Sequence, residues 1–374
     1  MRTGATATTD RPTAPATILG LLAWVLLAIP GLGHAKGPLP EHWISPESDW
    51  VVHVDAERLG QAPALRPIFD AIAASALGAD LAAIGIDPRM DVTSITMFGT
   101  ISRGPDSRRE TTTMLQGGTS LQSAIQRHIA THQGHALVLR RALQAEGRGI
   151  LAWTIDSLSV HVALVPMHRN GQTEEPQFAA VLSDNSDQLQ TSISLLLREK
   201  TNQDHAQSGQ DPSAIQQSEP ARHRLGTLIV PEGTVVFACA KDLDEAHPSL
   251  SSGLLASADS LLAHLGYRTD ADATVVFGGL SVRGDHADDG PKMAEDLSKI
   301  VEFWAAQTTR LSEQQPAMFE MLALVRACRI SHEGSSVQVT MERKLLDNTK
   351  IKHEPNDGAD RLAKDATKTD RKGR

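Results

Sequence analysis

Aromatic residues are scarce in this chain. Phe, Trp and Tyr make up 3% of its 374 residues, and Tyr267 is the sole tyrosine. Binding sites for sugars and for single-stranded nucleic acids favour aromatic side chains on which rings or bases stack. The composition therefore argues against either kind of ligand.

The sequence also lacks the short motifs of common nucleophilic and phosphate-binding sites. It contains no Gly-x-Ser-x-Gly, no Gly-x-x-x-x-Gly-Lys and no Cys-x-x-Cys, and the serine between Gly279 and Gly284 has the wrong spacing for a nucleophile elbow. A catalytic triad is defined by geometry rather than by order, so an enzyme of another type stays possible. We predict no catalytic residue and no cofactor, and a non-enzymatic protein is the favoured interpretation.

Positive charge is in deficit over most of the chain. The formal net charge is −9, to which residues 1–35 contribute +1 and residues 343–374 contribute +4, so residues 36–342 carry −14. Proteins that bind nucleic acid present basic surfaces. Nucleic acid is therefore not an expected partner.

Residues 1–35 have the organisation of a secretory signal peptide. Arg2 and Arg11 precede the apolar run 18–29, Pro30 and Gly31 break it, and Ala35 ends a Gly-His-Ala sequence suited to cleavage. The apolar run is shorter than the roughly 20 residues that span a membrane, although an uncleaved anchor is the alternative. We expect an exported protein, periplasmic or extracellular, with no transmembrane span after cleavage.

Hydrophobic periodicity predicts alternating strands and helices after the leader. The predicted order in residues 45–198 is β-α-β-β-α-β, with the last of these strands at 135–141, followed by further strands and a helix at about 185–198. In residues 227–343 it is β-α-β-β-α-β, with the first strand at 234–240, and an extra strand. The arm 260–267 fits either a strand or a helix. This order predicts an α+β fold of two antiparallel sheets with helices on one face, each a ferredoxin-like unit and together an internal duplication. Residues 199–226 are predicted to be a polar linker, and residues 344–374 a disordered charged tail.

Several segments together resemble a family of uncharacterised exported proteins from planctomycete-type bacteria. The segments read DWVVHVDAERL, GIDPRMDVTSITMFG and LQGG in the first half, and PEGTVVFACAKDL, LLASADSLLAHLGY and ISHEGSSVQVTME in the second. The resemblance covers most of residues 45–345. It implies architecture and location and no activity.

Three groups of polar residues contain side chains that can bind a metal ion. His128 and His132 stand four residues apart on a predicted helix and His135 follows, but the glutamate that a zinc-protease helix places after its first histidine is here Ile129. Two acidic groups lack the alternate-residue spacing of a calcium loop; they are Asp285, His286, Asp288 and Asp289, and Asp242, Asp244, Glu245 and His247. We interpret all three groups as solvated surface and predict no metal site.

Cys239 and Cys328 are a possible disulfide. An exported protein meets oxidising conditions, and the two cysteines lie near the end of the first strand and the start of the last strand of the second predicted unit. The first and last strands of a ferredoxin-like unit are antiparallel neighbours, which would bring the two residues within bonding distance. Two unpaired buried thiols are the alternative.

Function follows only coarsely from these patterns. We predict a binding or envelope-associated module that acts on an unknown protein or envelope partner. The alternatives are an exported hydrolase of unrecognised type, marked by a pocket that gathers His, Asp and Glu from both halves, and a periplasmic small-ligand binder with a deep apolar site between the halves.

Overall fold

The structure is a computed structural model, and it describes residues 43–62, 65–74, 76–100, 110–139, 150–156, 159–167, 176–207, 225, 230–243, 257–270, 273–312 and 324–345. The predicted signal peptide and most of the predicted linker and tail lie outside these residues. Among the described residues, no helix combines the length and apolar character needed to cross a membrane.

Twelve strands are described. In the first half they are β1 (Trp50–Asp55), β2 (Ser94–Gly99), β3 (Thr111–Gly117), β4 (His135–Ala136), β5 (Leu151–Ile155), β6 (Val160–Met167) and β7 (Gln177–Ser183). In the second half they are β8 (Thr234–Ala240), β9 (Ser260–Asp270), β10 (Ala273–Arg283), β11 (Arg329–Glu333) and β12 (Ser336–Leu345).

Within the same described segments, six helices accompany the strands. They are α1 (Ala56–Gln61), α2 (Arg66–Ala74), α3 (Ala76–Ala83), α4 (Thr119–Thr131), α5 (Ser186–Gln207) and α6 (Asp289–Ser312). Helix α5 runs past its predicted end, into the segment predicted to be a linker. The elements therefore confirm a mixed α+β protein.

All twelve strands belong to one antiparallel sheet, so the prediction of two separate sheets is wrong. The order across the sheet is β11-β12-β10-β9-β8-β1-β2-β3-β7-β6-β5-β4. The two halves join where β1 pairs with β8, with Trp50 opposite Ala240 and Val54 opposite Val236. The periodicity of a segment predicts that it is a strand but does not predict which strand it pairs with. All seven residues of β8 are buried, as is usual for a strand in the middle of a sheet.

The strand order also departs from the ferredoxin-like arrangement. The first three strands of each half are consecutive neighbours, β1-β2-β3 and β8-β9-β10, and a hairpin follows outside them, β7-β6 and β12-β11. The first and last strands of a half are therefore far apart, whereas a ferredoxin-like unit would pair them. Each half nevertheless has the same order, with β5 and β4 as additions to the first.

The strand register has a local two-fold symmetry about the β1–β8 pair. His53 on β1 lies opposite Phe237 on β8. The row continues on the first side through Thr96, Met114 and Val181, and on the second side through His264, Gly279 and Thr340. Strands β1, β2, β3 and β7 thus correspond in position and direction to β8, β9, β10 and β12.

Helices cover both faces of the sheet in the first half. Alternate residues of β1, such as Val52 and Val54, belong to a core that includes Leu59 of α1, Leu121 of α4 and, in the second half, Leu297 of α6. The other face packs against α5 in a second core, formed by residues that include Val51, Phe98, Met114, Leu189 and Ile193. Period-two alternation on the strands and an apolar stripe on each helix account for both cores.

Candidate functional site

The two cysteines do not form the predicted disulfide. Cys239 and Cys328 are free thiols. Cys239 lies on β8 and Cys328 immediately precedes β11, four strand steps away, which corresponds to about 19 Å across a sheet and far exceeds the separation a disulfide allows. The pairing depended on the ferredoxin-like strand order, which the sheet does not have. Burial raises the pKa of the Cys239 thiol to about 11 and also raises that of Cys328.

The two histidines at the end of α4 form a close, tilted pair of rings rather than a solvated surface. The rings of His128 and His132 have centroids 4.1 Å apart, and His132 Nδ1 donates to the His128 carbonyl oxygen at 3.1 Å. His128 is buried and its Nε2 has no hydrogen-bond partner in the described structure. Burial, and then the neighbouring His132, lower the pKa of His128.

His135 points elsewhere, to Asp156 at 3.5 Å, where both side chains are exposed. In the described part of the chain, no group of three or more His, Cys, Asp or Glu side chains is placed to hold a metal ion. Of the three histidines that the sequence groups together, His128 is buried, His132 is half-buried against it, and His135 makes a contact at the surface.

The acidic turn before α6 serves that helix. Asp289 Oδ2 accepts from the His286 backbone N–H at 2.8 Å, and the Asp289 N–H donates to the His286 carbonyl at 3.0 Å. Asp285 and Asp288 are exposed beside this turn. Of the second acidic group, Asp242 has a positive φ of 54° and the other three residues lie outside the described segments.

A cavity of about 630 Å³ lies at one end of the sheet, in the first half. Strands β1 and β3 both run antiparallel to β2, so their C-terminal ends and the start of β2 meet at the same edge. Helix α1 begins directly after β1, and α4 follows β3 after Gly118. These helix starts, α2, and the turn that leads into β2 enclose the cavity.

Close backbone packing fixes the wall of this cavity. A Cβ on Gly117, the last residue of β3, would lie 2.1 Å from the Asp91 carbonyl oxygen, so only glycine fits there. The turn that carries Asp91 is closed by its own side chains. Asp91 Oδ2 accepts from the Asp87 N–H at 2.8 Å, and Asp87 Oδ1 accepts from the Arg89 N–H at 2.9 Å.

The lining has apolar and charged parts. Ala56, Phe69 and Val92 are its buried apolar side chains, and Met90 is 79% exposed at its surface. Its charged and polar side chains are Glu57, Gln61, Asp70, Arg89, Asp91, Thr93, Thr119, Ser120 and Gln177. Three carboxylates and one guanidinium give the lining a formal charge of −2.

Hydrogen bonds within the lining leave part of this charge available to a ligand. Arg89 donates to Asp70 at 2.5 Å, with both side chains 49% exposed. Gln61 Nε2 donates to Glu57 Oε1 at 3.3 Å. Asp70 is thus neutralised by Arg89, while Glu57 and Asp91 face no cation of the lining.

An ion pair beside the cavity ties the two halves together. Asp55 caps α1 by accepting from the Arg58 N–H at 3.0 Å, and the Arg58 side chain donates to Asp55 Oδ2 at 3.3 Å and to the Thr234 carbonyl at 3.4 Å. The guanidinium also lies 5.3 Å from the centre of the Tyr267 ring, whose hydroxyl donates to the Arg58 carbonyl at 3.1 Å. Burial raises the pKa of Asp55 against the opposing effect of Arg58, and burial raises that of Tyr267.

Two further histidines lie on the sheet, on either side of Phe237. His53 Nδ1 is 2.8 Å from Thr96 Oγ1, and burial lowers the pKa of His53 to about 4. His264 has a buried Nδ1 without a hydrogen-bond partner in the described structure, and burial lowers its pKa. Its ring occupies the space over Gly279, where a Cβ would lie 2.5 Å from Cε1. The segment from Gly279 to Arg283 is therefore the end of strand β10, with a histidine ring packed over its first residue, and not a nucleophile elbow.

The sequence did not predict a binding site at the cavity. Glu57 and Asp91 belong to segments that carry the family resemblance, but neither they nor Asp70 belong to a motif with a known chemical role. The ends of β1 and β3 and the start of β2 lie close to these residues in the sequence. Which of these strand ends lie together in space can be told only once the strand order is known.

Comparison of the chain with protein-family models, with curated proteins and with solved structures gives no match.

Proposed function

We propose that this protein is an exported, non-enzymatic binding module and that it binds its partner at the cavity between α1, α2 and the start of α4. The observation that carries the proposal is the cavity itself. Its volume of about 630 Å³ is in the range of ligand sites, and it combines three buried apolar side chains with converging polar groups.

The lining supports binding over hydrolysis. Its residues run from Ala56 to Gln177, so they all belong to the first half, and none is a histidine or a cysteine. The hydrolase alternative calls for His, Asp and Glu gathered from both halves, and this lining has no histidine and no residue of the second half. For the same reason this cavity is not a small-ligand site between the halves.

The charge of the chain indicates a positively charged partner. The lining carries −2, and residues 36–342 carry −14. Opposite charge speeds encounter and selects partners by complementarity. A basic segment of a protein fits this site, because Lys and Arg can place their aliphatic stems against Phe69 and Val92 and their charged ends beside Glu57 and Asp91.

Export is part of the proposal and is supported by the signal-like sequence of residues 1–35. Protein recovered from the envelope fraction is expected to begin at Lys36. We also propose that the halves arose by internal duplication, which the shared strand order and the two-fold register support.

Binding of fluorescein-labelled hexalysine, followed by fluorescence anisotropy at low salt, tests the site. In the variant Glu57→Gln/Asp91→Asn the side chains keep their acceptor oxygens for Gln61 and Asp87, so the fold is retained while two charges are removed. We expect Kd to rise at least fivefold.

The matched control is Asp288→Asn/Glu333→Gln, which removes two exposed charges at the opposite end of the sheet. It is expected to leave Kd unchanged. Equal losses in the two variants would mean that hexalysine responds to overall charge, and the cavity would no longer be the proposed site.

A further inference from the structure

The last described residue lies at the same end of the sheet as the cavity. Leu345 of β12 is opposite Thr274 at the start of β10, and Ala273 is opposite Asp270 at the end of β9. The end of β9 meets the start of β8, which in turn meets the end of β1. The chain beyond Leu345 therefore leaves the sheet at the edge where α1 begins.

The sequence beyond Leu345 divides by charge. Residues 346–360 contain two Lys and four Asp or Glu, whereas residues 361–374 contain six Lys or Arg and two Asp. The second part, RLAKDATKTDRKGR, thus has a formal charge of +4. The acidic cavity and this basic segment are complementary in sign.

The intervening residues have the length needed to join the two. From β12 to β2 there are five strand steps, a distance of about 24 Å. Fifteen residues of flexible chain have a root-mean-square end-to-end distance of about 21 Å and reach at most about 50 Å when fully extended. A linker whose average length matches the span gives the highest effective concentration, on the order of millimolar.

We propose that residues 361–374 occupy the cavity of their own chain, with Lys or Arg side chains against Glu57 and Asp91. This inference rests on the proposed function, because it makes the chain's own basic segment the first occupant of the binding site. An external basic partner then binds only by displacing that segment. The affinity of the intact protein for such a partner is therefore lower than the affinity of a cavity that residues 361–374 do not occupy.

Carbodiimide cross-linking of the mature chain tests the location. An equal mixture of unlabelled and ¹⁵N-labelled protein is treated at low salt and analysed by mass spectrometry. We expect Lys364, Lys368 or Lys372 to be joined to Glu57 or Asp91, with both peptides from the same isotope.

Acidic residues at the far end of the sheet provide the comparison. Asp288 and Glu333 are exposed there, and the ten-residue strand β12 separates them from Leu345 by about 33 Å. Cross-links to these residues as frequent as those to Glu57 and Asp91 would overturn the proposal. Mixed-isotope cross-links would also overturn it, because the segment would then dock on another copy.

Hexalysine binding separates this inference from the proposed function. The variant Lys364→Ala/Lys368→Ala/Arg371→Ala/Lys372→Ala is expected to bind hexalysine at least threefold more tightly than the unchanged chain. The control Lys350→Ala/Lys352→Ala removes charge from residues 346–360 and is expected to leave Kd unchanged. An unchanged Kd in the first variant overturns the docking of residues 361–374 and leaves the cavity as the binding site. If Glu57→Gln/Asp91→Asn weakens hexalysine binding no more than its control Asp288→Asn/Glu333→Gln does, both the binding site and the docking are overturned.

Discussion

Two Asp–Arg pairs near the cavity differ in burial. The side chains of Arg58 and Asp55 are 13% and 19% exposed, and those of Arg89 and Asp70 are each 49% exposed. The Arg89 pair is the shorter, at 2.5 Å against 3.3 Å. Exposed pairs gain little because water and salt screen them, whereas removal of one partner from a buried pair leaves a charge without compensation.

We therefore predict that Arg58→Ala lowers the free energy of unfolding by about 1–3 kcal/mol, since it leaves Asp55 poorly solvated and removes the contact with the Thr234 carbonyl and the Tyr267 ring. Arg89→Ala is the matched control and should cost less than about 1 kcal/mol. Urea unfolding at neutral pH measures both. A larger loss for Arg89→Ala would show that distance, not burial, determines the value of these pairs.

His53 makes stability depend on pH. Burial lowers its pKa from 6.5 to about 4. Between these two pH values, His53 is mostly protonated in the unfolded chain and mostly neutral in the folded chain. Its contribution is fully present above about pH 6.5 and is lost as the pH falls towards 4, to a maximum of about 3 kcal/mol.

The variant His53→Asn removes the titrating ring and keeps a polar atom near Thr96. We predict a shallower fall of unfolding free energy between pH 6.5 and pH 4 than in the unchanged chain. His332→Asn, at an exposed position on β11, should leave the slope as it is. Parallel profiles for His53→Asn and the unchanged chain would assign the acid sensitivity to other groups.

The elements show how one side chain positions a helix. Asn185 precedes α5, and its Oδ1 accepts from the Asp187 and Gln188 N–H groups at 2.8 and 3.4 Å. Its Nδ2 donates to Glu110 Oε1 at 2.8 Å, just before β3. The residue thus caps the helix and holds it over the strand that it covers.

Asn185→Ala is predicted to lower the free energy of unfolding by about 1–2 kcal/mol, because the helix loses its cap and its link to Glu110. Asn185→Asp keeps the accepting oxygen but opposes a second carboxylate to Glu110, and should also destabilise at neutral pH. Thermal or urea unfolding measures the pair. Recovery of full stability by Asp would show that the contact with Glu110 contributes nothing.

Hydrophobic periodicity predicted the strands and helices better than it predicted which strands pair. Strand β8 has its predicted bounds, and β9 is a strand rather than a helix because it pairs with β10 along its whole length. The strand predicted at 135–141 has two residues, and α5 extends to Gln207. Local pattern determines whether a segment is extended or helical, whereas pairing depends on residues far apart in the chain. The cavity depends on that pairing, so its residues could not be predicted.

At the scale of the molecule, the pairing of β1 with β8 joins both halves into one sheet. All seven residues of β8 and four of the six residues of β1 are buried, and the Arg58 contacts with Thr234 and Tyr267 lie beside this pair of strands. Separation of the halves would expose apolar strand faces and unpaired backbone groups.

We predict that both halves unfold in a single transition. Variants that retain only Trp153, on β5, or only Trp304, on α6, report on opposite sides of the β1–β8 pair. Their urea transitions, followed by fluorescence, should coincide with each other and with circular dichroism. Two separated midpoints would show that the halves are independent domains despite the shared sheet.

The position of β1 has a consequence during synthesis. Strand β1 is the first of the described strands, yet its second neighbour, β8, begins about 180 residues later. At the usual rate of translation, the open edge of β1 waits on the order of ten seconds or more for its partner. Because His53 lies opposite Phe237 on a local two-fold axis, two nascent chains can pair their β1 strands in the same geometry. We therefore expect a chaperone that shields extended apolar segments to be needed longest at Trp50–Asp55, until Thr234–Ala240 has been synthesised.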